Sequence, residues 1–167
     1  MIKFKAKVPS SKFRSSTFVS DMRKMGNELA KRVNETYTNE VMATWESKAP
    51  FIKEVSATQN LTKVEVKTDS NVYRYLTRGT KEHPISPRPE NTRGLLVFQK
   101  DFTPKTTVGS LRSKSGGKSG PWALRKEVMH PGTEARNYES LIIEEQTPWI
   151  LERFAKTLRE SIELRSE

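Results

Sequence analysis

The chain opens on a strict alternation. Ile2, Phe4, Ala6 and Val8 are separated by Lys3, Lys5 and Lys7. A period of two puts the apolar set on one face of a strand. Lysines on the other face suit a sheet edge, where charge discourages stray pairing. Pro9 and the serines after it end the strand. The period then changes. From Ser16 to Ser47, residues Phe18, Met22, Met25, Leu29, Val33, Tyr37, Val41 and Trp45 follow at steps of three or four. That spacing predicts one buried stripe on a long amphipathic helix, with length to spare for packing on a neighbouring subunit. Gly26 weakens the helix by about 1 kcal/mol relative to Ala. It lies just off the stripe, where another backbone can approach. Pro50 marks the end.

Lys63–Lys67 alternates again, Asp69-Ser70-Asn71 supplies turn residues, and Val72–Leu76 is rich in strand formers. A hairpin is expected here. Gly79 breaks its second strand, and Pro84, Pro87 and Pro89 make the next stretch an extended loop with restricted φ. Leu95–Phe98 predicts a buried strand. Residues 101–121 have little to bury and much Gly and Ser, which predicts a mobile basic loop or a long β-arm. Trp122–Met129 returns to strand and would pair with Leu95–Gln99. Thr133 is placed as the N-cap of a helix, with Glu134 suited to its positive end. Tyr138, Leu141, Ile142 and Glu145 continue that helix. Thr147-Pro148 looks like a new cap, so the helix should be broken or kinked there. Leu151, Phe154, Ala155, Leu158 and Ile162 form the apolar face of its last part. The whole order predicts an α+β fold in one domain, 1–167. An antiparallel sheet packs against a long N-terminal and a C-terminal helix, with the basic loop or arm as an appendage.

Composition sharpens this picture in two ways. Only 34% of the residues are hydrophobic and 30% are charged, so much of the surface is solvated or faces a partner. The net charge of +10 is also unevenly placed. Residues 1–14 carry five bases and no acid, and residues 103–126 carry six bases and no acid. The basic character therefore belongs to two segments and not to the body, and it points to an anionic partner. With no cysteine, a disulfide framework and a thiolate metal site are excluded. The opening lacks the apolar stretch of a signal peptide, and no apolar run approaches spanning length, so a protein assembled in a cytoplasm without a membrane partner is expected.

Candidate chemistry is thin. Gly117-Lys118-Ser119 invites a phosphate-loop reading, but the glycine required five positions earlier is Arg112. His83 and His130 each precede a proline and have no ligand at metal spacing, so hydrogen bonding beside a turn is the expected role. No Gly-x-Ser-x-Gly elbow is present, and Glu144 and Glu145 fit a solvated helix face. The sequence offers no constellation for an enzyme and none for a cofactor.

Two spaced segments carry more information. Tyr75-Leu76-Thr77-Arg78-Gly79-Thr80-Lys81-Glu82-His83-Pro84-Ile85-Ser86-Pro87 leads into Gly94-Leu95-Leu96-Val97-Phe98, and Val128-Met129-His130-Pro131-Gly132-Thr133-Glu134-Ala135-Arg136 follows the basic loop. This pattern resembles the neck and tail-completion family of long-tailed bacteriophages. There an aromatic strand ends in Gly-Thr, an extended His-x-Ile-x-Pro loop and a Leu-rich strand follow, and His-Pro-Gly-Thr opens a helix. The motif positions are Tyr75, Gly79, Thr80, His83, Pro84, Ile85, Pro87, His130, Pro131, Gly132, Thr133 and Arg136. The resemblance implies a structural virion protein assembled as a ring, six copies favoured over twelve. Its partners would be a head-completion or connector protein and a tail terminator or tail tube protein. Lys105, Arg112, Lys114 and Lys118 would touch passing DNA or a neighbouring subunit. A stand-alone basic nucleic-acid-binding protein is the alternative, although the basic segments lack interleaved aromatics for base stacking.

Overall fold

A computed structural model describes residues 1–7, 16–46, 48–58 and 61–163. Val8, Pro9, Ser47 and the side chain of Ile162 lie outside the described residues.

Strand β1 (Ile2–Lys7) pairs antiparallel with β3 (Leu61–Lys67), and β2 (Ile52–Ala57) pairs with the other side of β3. The order β1-β3-β2 makes β1 an edge, as its lysines predict. Ile2 is buried, and Lys3, Lys5 and Lys7 face out. Lys3 on β1 and Lys63 on β3 both reach Glu65, at 3.0 and 2.7 Å. Hydrogen bonds from Lys63 and then Lys3 hold the Glu65 carboxyl down at about 2. The stability this triad supplies is present above the ordinary carboxylate range and fades as pH falls toward 2. In thermal melts taken between neutral pH and about pH 2, Glu65→Gln should be less stable than the parent at neutrality, and the gap should close toward the acid end. A constant gap would mean that the ion pairs hold nothing.

Helix α1 (Ser16–Thr36) runs into a wide π-turn at Tyr37–Val41, where the N–H of Met42 donates to the carbonyl of Tyr37 at 2.9 Å. The predicted stripe is the core. Phe18, Met22, Met25, Leu29, Val33, Tyr37 and Val41 are all buried, and Trp45 packs at its margin. The helix lies on β2 and β3. Gly26 explains how closely. A Cβ there would stand 2.7 Å from Cγ1 of Val55 and 3.2 Å from Cγ2 of Val64. The close approach is thus by valine side chains of the sheet, and not by backbone. On its other side α1 meets α3 (Tyr138–Glu163). Arg153 grips Glu28 through two bonds of 3.1 Å, Arg32 Nε donates to Gln146 at 3.0 Å, and the Arg32 guanidinium lies 4.7 Å above the Trp149 ring.

The helix expected to run to Ser47 ends its helical turns at Val41, and the sequence-based expectation of secondary structure fails at three further places. Residues Asn71–Arg78 form a helix, α2, and not the second strand of a hairpin. Ser70 is its N-cap and accepts from the Tyr73 N–H at 3.3 Å. Tyr73 and Thr77, four apart, are buried, so the helical period is satisfied by Tyr73, Leu76 and Thr77. β3 pairs with β1 and β2. Second, α3 begins at Tyr138, five residues after the expected cap. Third, α3 continues through Pro148 without a break. Pro148 and Glu144 are exposed, so the carbonyl that loses its donor faces water. The α1 contacts of Gln146 and Arg153 hold both sides of the proline. Antiparallel pairing itself holds, divided among the three-stranded sheet and two ribbons.

Candidate interaction site

The two motif segments meet. Short strands β4 (His83–Ile85) and β7 (Val128–His130) pair antiparallel, His83 opposite His130 and Ile85 opposite Val128. Thr80 and Thr133 exchange both backbone bonds, at 2.8 and 3.0 Å. Beyond them the N–H groups of Arg136 and Asn137 donate to the carbonyls of Leu76 and Thr77, each at 3.0 Å. Thr133 cannot cap a helix because its backbone is committed to Thr80. Asn137, with φ of 53°, turns the chain into α3 instead.

Glycine makes this clasp possible. Gly79 has φ of 73°, and a Cβ on it would sit 2.5 Å from the carbonyl oxygen of Thr133 and 2.9 Å from the nitrogen of Ala135. Gly132 has φ of 88°, and its Cβ would overlap the carbonyl oxygen of Thr80. Each glycine leaves room for the backbone of the other segment.

The histidines hydrogen-bond beside these turns in opposite senses. His83 Nδ1 lies 2.8 Å from the Lys81 carbonyl, which can only accept, so this nitrogen carries the proton. His130 Nδ1 accepts from the Gly132 N–H at 3.0 Å, which leaves its proton on Nε2. The two rings are 5.1 Å apart and tilted by 30°. Among the described residues no group of three or more His, Cys, Asp or Glu is placed to hold a metal.

Arg136 is buried, with 9% of its surface exposed, and its Nε donates to Thr106 Oγ1 at 3.2 Å. Among the described residues no carboxylate pairs with it. It borders an open groove of about 1130 Å³ that also takes in Trp45, Ile52, Val72, Leu76, Phe102 and His130–Thr133. Tyr75 lies on the exposed side of α2, where the Arg74 guanidinium is 5.9 Å from its ring. Pro84 stands opposite Met129 in the β4–β7 pair, and Pro87 is half-buried.

The basic segment is a β-arm whose tip is tied down. β5 (Leu96–Thr103) and β6 (Gly117–Arg125) pair as a ribbon, with an irregularity between Gln99 and Asp101. Residues 104–116 return to the end of α1 and its π-turn. Ser113 donates to the Glu40 carbonyl through both its N–H and its hydroxyl, each at 3.0 Å, and Lys105 Nζ reaches the Thr44 carbonyl at 3.2 Å. Thr106 is buried, and Leu111 packs on the core. Two of the four candidate contact residues are therefore engaged within the chain. Lys105 also lies 3.8 Å from Glu46, and Arg112 lies 3.9 Å from Glu40. Lys114 and Lys118 are exposed, and among the described residues neither has an ion-pair partner. The Leu95–Phe98 strand is not buried as expected. Val97 points to solvent on β5, as do Trp122 and Leu124 on β6. The alternation Val97/Gln99 against Trp122/Leu124 is present in the sequence, but a short apolar run hides which face is covered.

Comparison with family models, with curated proteins and with solved structures finds no match for this chain. Among the described residues no helix is long and apolar enough to cross a membrane.

Proposed function

We propose that this chain is a structural component of the head–tail joint of a long-tailed bacteriophage, a ring-forming neck or tail-completion protein. The observation that carries the reading is the clasp. Two segments about 50 residues apart, singled out by their order and motifs, build one backbone-bonded unit in which each glycine is needed by the other segment. That unit fixes the geometry of the backbone through main-chain bonds, which suits a role in assembly. The ring, with six copies favoured, would sit between a connector or head-completion protein and the tail terminator or tube. Lys114 and Lys118 are the bases left to meet passing phosphates or a neighbour, without reading bases. The chain would be assembled in the host cytoplasm and end in the virion.

Loss of the gene from the phage that encodes it should leave filled heads and free tails that do not join, counted by electron microscopy of lysates. Labelling of intact particles should place the protein at the neck. Normal infectious particles from the null would end this reading. A second reading, a stand-alone nucleic-acid-binding protein, is favoured by the clustered charge. It expects duplex DNA binding by the isolated chain that falls steeply with salt and needs Lys114 and Lys118.

A further inference from the structure

The β5–β6 ribbon has one covered and one bare face. Ala123 is buried, with Leu96 and Phe98 half-buried on the same side. Val97 stands opposite Leu124, and Gln99 opposite Trp122, on the other side. There Val97 is 60% exposed, Trp122 66% and Leu124 56%. Among the described residues no other strand or helix packs broadly on the ribbon. An isolated two-stranded ribbon is marginal in water, and a contiguous apolar patch on one marks a surface made to be covered. The patch has a basic rim. The ribbon and the residue after it, 96–103 and 117–126, carry four bases, Lys100, Lys118, Arg125 and Lys126, and one acid, Asp101.

The same chain carries a surface of opposite character. On the outer side of α3, Ile143 and Leu151 are exposed with Thr147 between them. They share one side of the helix, about 12 Å apart along its axis. Glu144, Glu145 and Glu152 flank them and are exposed. Tyr138–Glu163 holds six acids and three bases, and two of those bases, Arg153 and Lys156, already pair with Glu28 and Glu160. We infer that the bare face of the β5–β6 ribbon docks on the Ile143–Thr147–Leu151 stripe of α3 in a second copy of this chain. The rims decide the occupant. Ribbon against ribbon would set base against base, whereas ribbon against α3 sets apolar on apolar inside a frame of opposite charges. The two patches differ, so each copy keeps one of each free, and the contact propagates head to tail until it closes. The inference rests on the ring reading and names the surfaces that would make the ring.

The chain has no cysteine, so introduced ones report cleanly. Leu124→Cys and Leu151→Cys chains, mixed in equal amounts and mildly oxidised, should give mainly the mixed disulfide dimer. The double variant should give a ladder of larger species. Circular dichroism of each variant should match the parent, since both positions are exposed. Reversing the α3 rim with Glu144→Lys and Glu152→Lys should weaken self-association by about tenfold or more in sedimentation, and Lys126→Glu should restore part of it in the charge-swapped chain. Dominant Leu124→Cys homodimers would show ribbon-on-ribbon packing and overturn the inference. Rings that form with no mixed cross-link and no response to the charge swap would also overturn it, yet leave the ring reading standing. A chain that stays monomeric at its highest soluble concentration would overturn the inference, and the ring reading would fall with it only if the protein were also absent from particles.

Discussion

Gly79→Ala should destabilise the fold by about 3 kcal/mol or more. Two effects add. Gly79 has φ of 73° and ψ of 173°, a region open almost only to glycine. The new methyl would also meet the Thr133 carbonyl oxygen at 2.5 Å, and that oxygen is fixed by its bond from Thr80. Gly132→Ala should cost a similar amount, for the mirror-image reason that it strikes the Thr80 carbonyl. Both changes break one clasp, so the double variant should lose clearly less than the sum of the singles. Gly94 and Gly109 are the controls. Their φ values are 59° and 72°, but a Cβ on either meets nothing within 4 Å. Alanine at those two positions should cost only the backbone strain, about 1 kcal/mol. Denaturant midpoints at unchanged slope would measure all five variants against the parent. Equal losses at Gly79 and Gly94 would show that the approach of the two segments contributes nothing.

The second large effect is on alkaline stability. Three of the four tyrosines, Tyr37, Tyr73 and Tyr138, are buried in or beside one aromatic cluster. Tyr37 stacks on Phe51 at 4.2 Å and meets Tyr73 edge-on at 5.3 Å, and the Tyr73 hydroxyl donates to the Tyr37 oxygen at 2.8 Å. Burial raises all three phenols, Tyr37 and Tyr73 well above their usual value, because a phenolate there would lose its water. The folded chain thus keeps two protons, on Tyr37 and Tyr73, that the unfolded chain gives up above about pH 10, and Tyr138 acts in the same direction. Their contribution is intact below that pH and is lost as pH rises. Two such groups together remove about 3 kcal/mol per pH unit. A total stability in the ordinary range of about 5–15 kcal/mol would be exhausted within a few units. Helical circular dichroism and phenolate absorbance should therefore change together in one alkaline transition, and the Tyr37→Phe, Tyr73→Phe double variant should move it upward. Absorbance from all the tyrosines rising while the helix signal stays native would contradict this.

Elements with a long, unbroken period were legible in the sequence. The α1 stripe from Phe18 to Val41 is buried as its spacing requires, and β1 shows its lysines outward at a sheet edge. The wide turn at Tyr37–Val41 left no mark in that spacing. β2 went unread, because Ile52, its strongest β-former, is exposed and only Val55 and Ala57 turn inward. Val72–Leu76 carries strand-forming residues, but Ser70 caps it and Tyr73 and Thr77 bury at a helical interval, so tertiary packing overrode propensity. Thr133 has the right chemistry for a cap and is claimed by a partner 53 positions away, which no local rule can see. The motif residues were visible as a pattern, but not the contact between them. The bare ribbon face was invisible for a related reason. Val97, Trp122 and Leu124 look like core by composition, and only the absence of a covering element distinguishes them.

The ribbon is fastened twice. Its base runs into the clasp through Val128–His130, and its tip is bonded to Glu40 and Thr44 at the end of the first helix. A hairpin held at one end sweeps through many positions, and any partner must quench that freedom on binding. A beam supported at both ends has already surrendered it. Whatever covers the bare face meets a stiff, ready-shaped surface, so most of the free energy of contact is left for affinity.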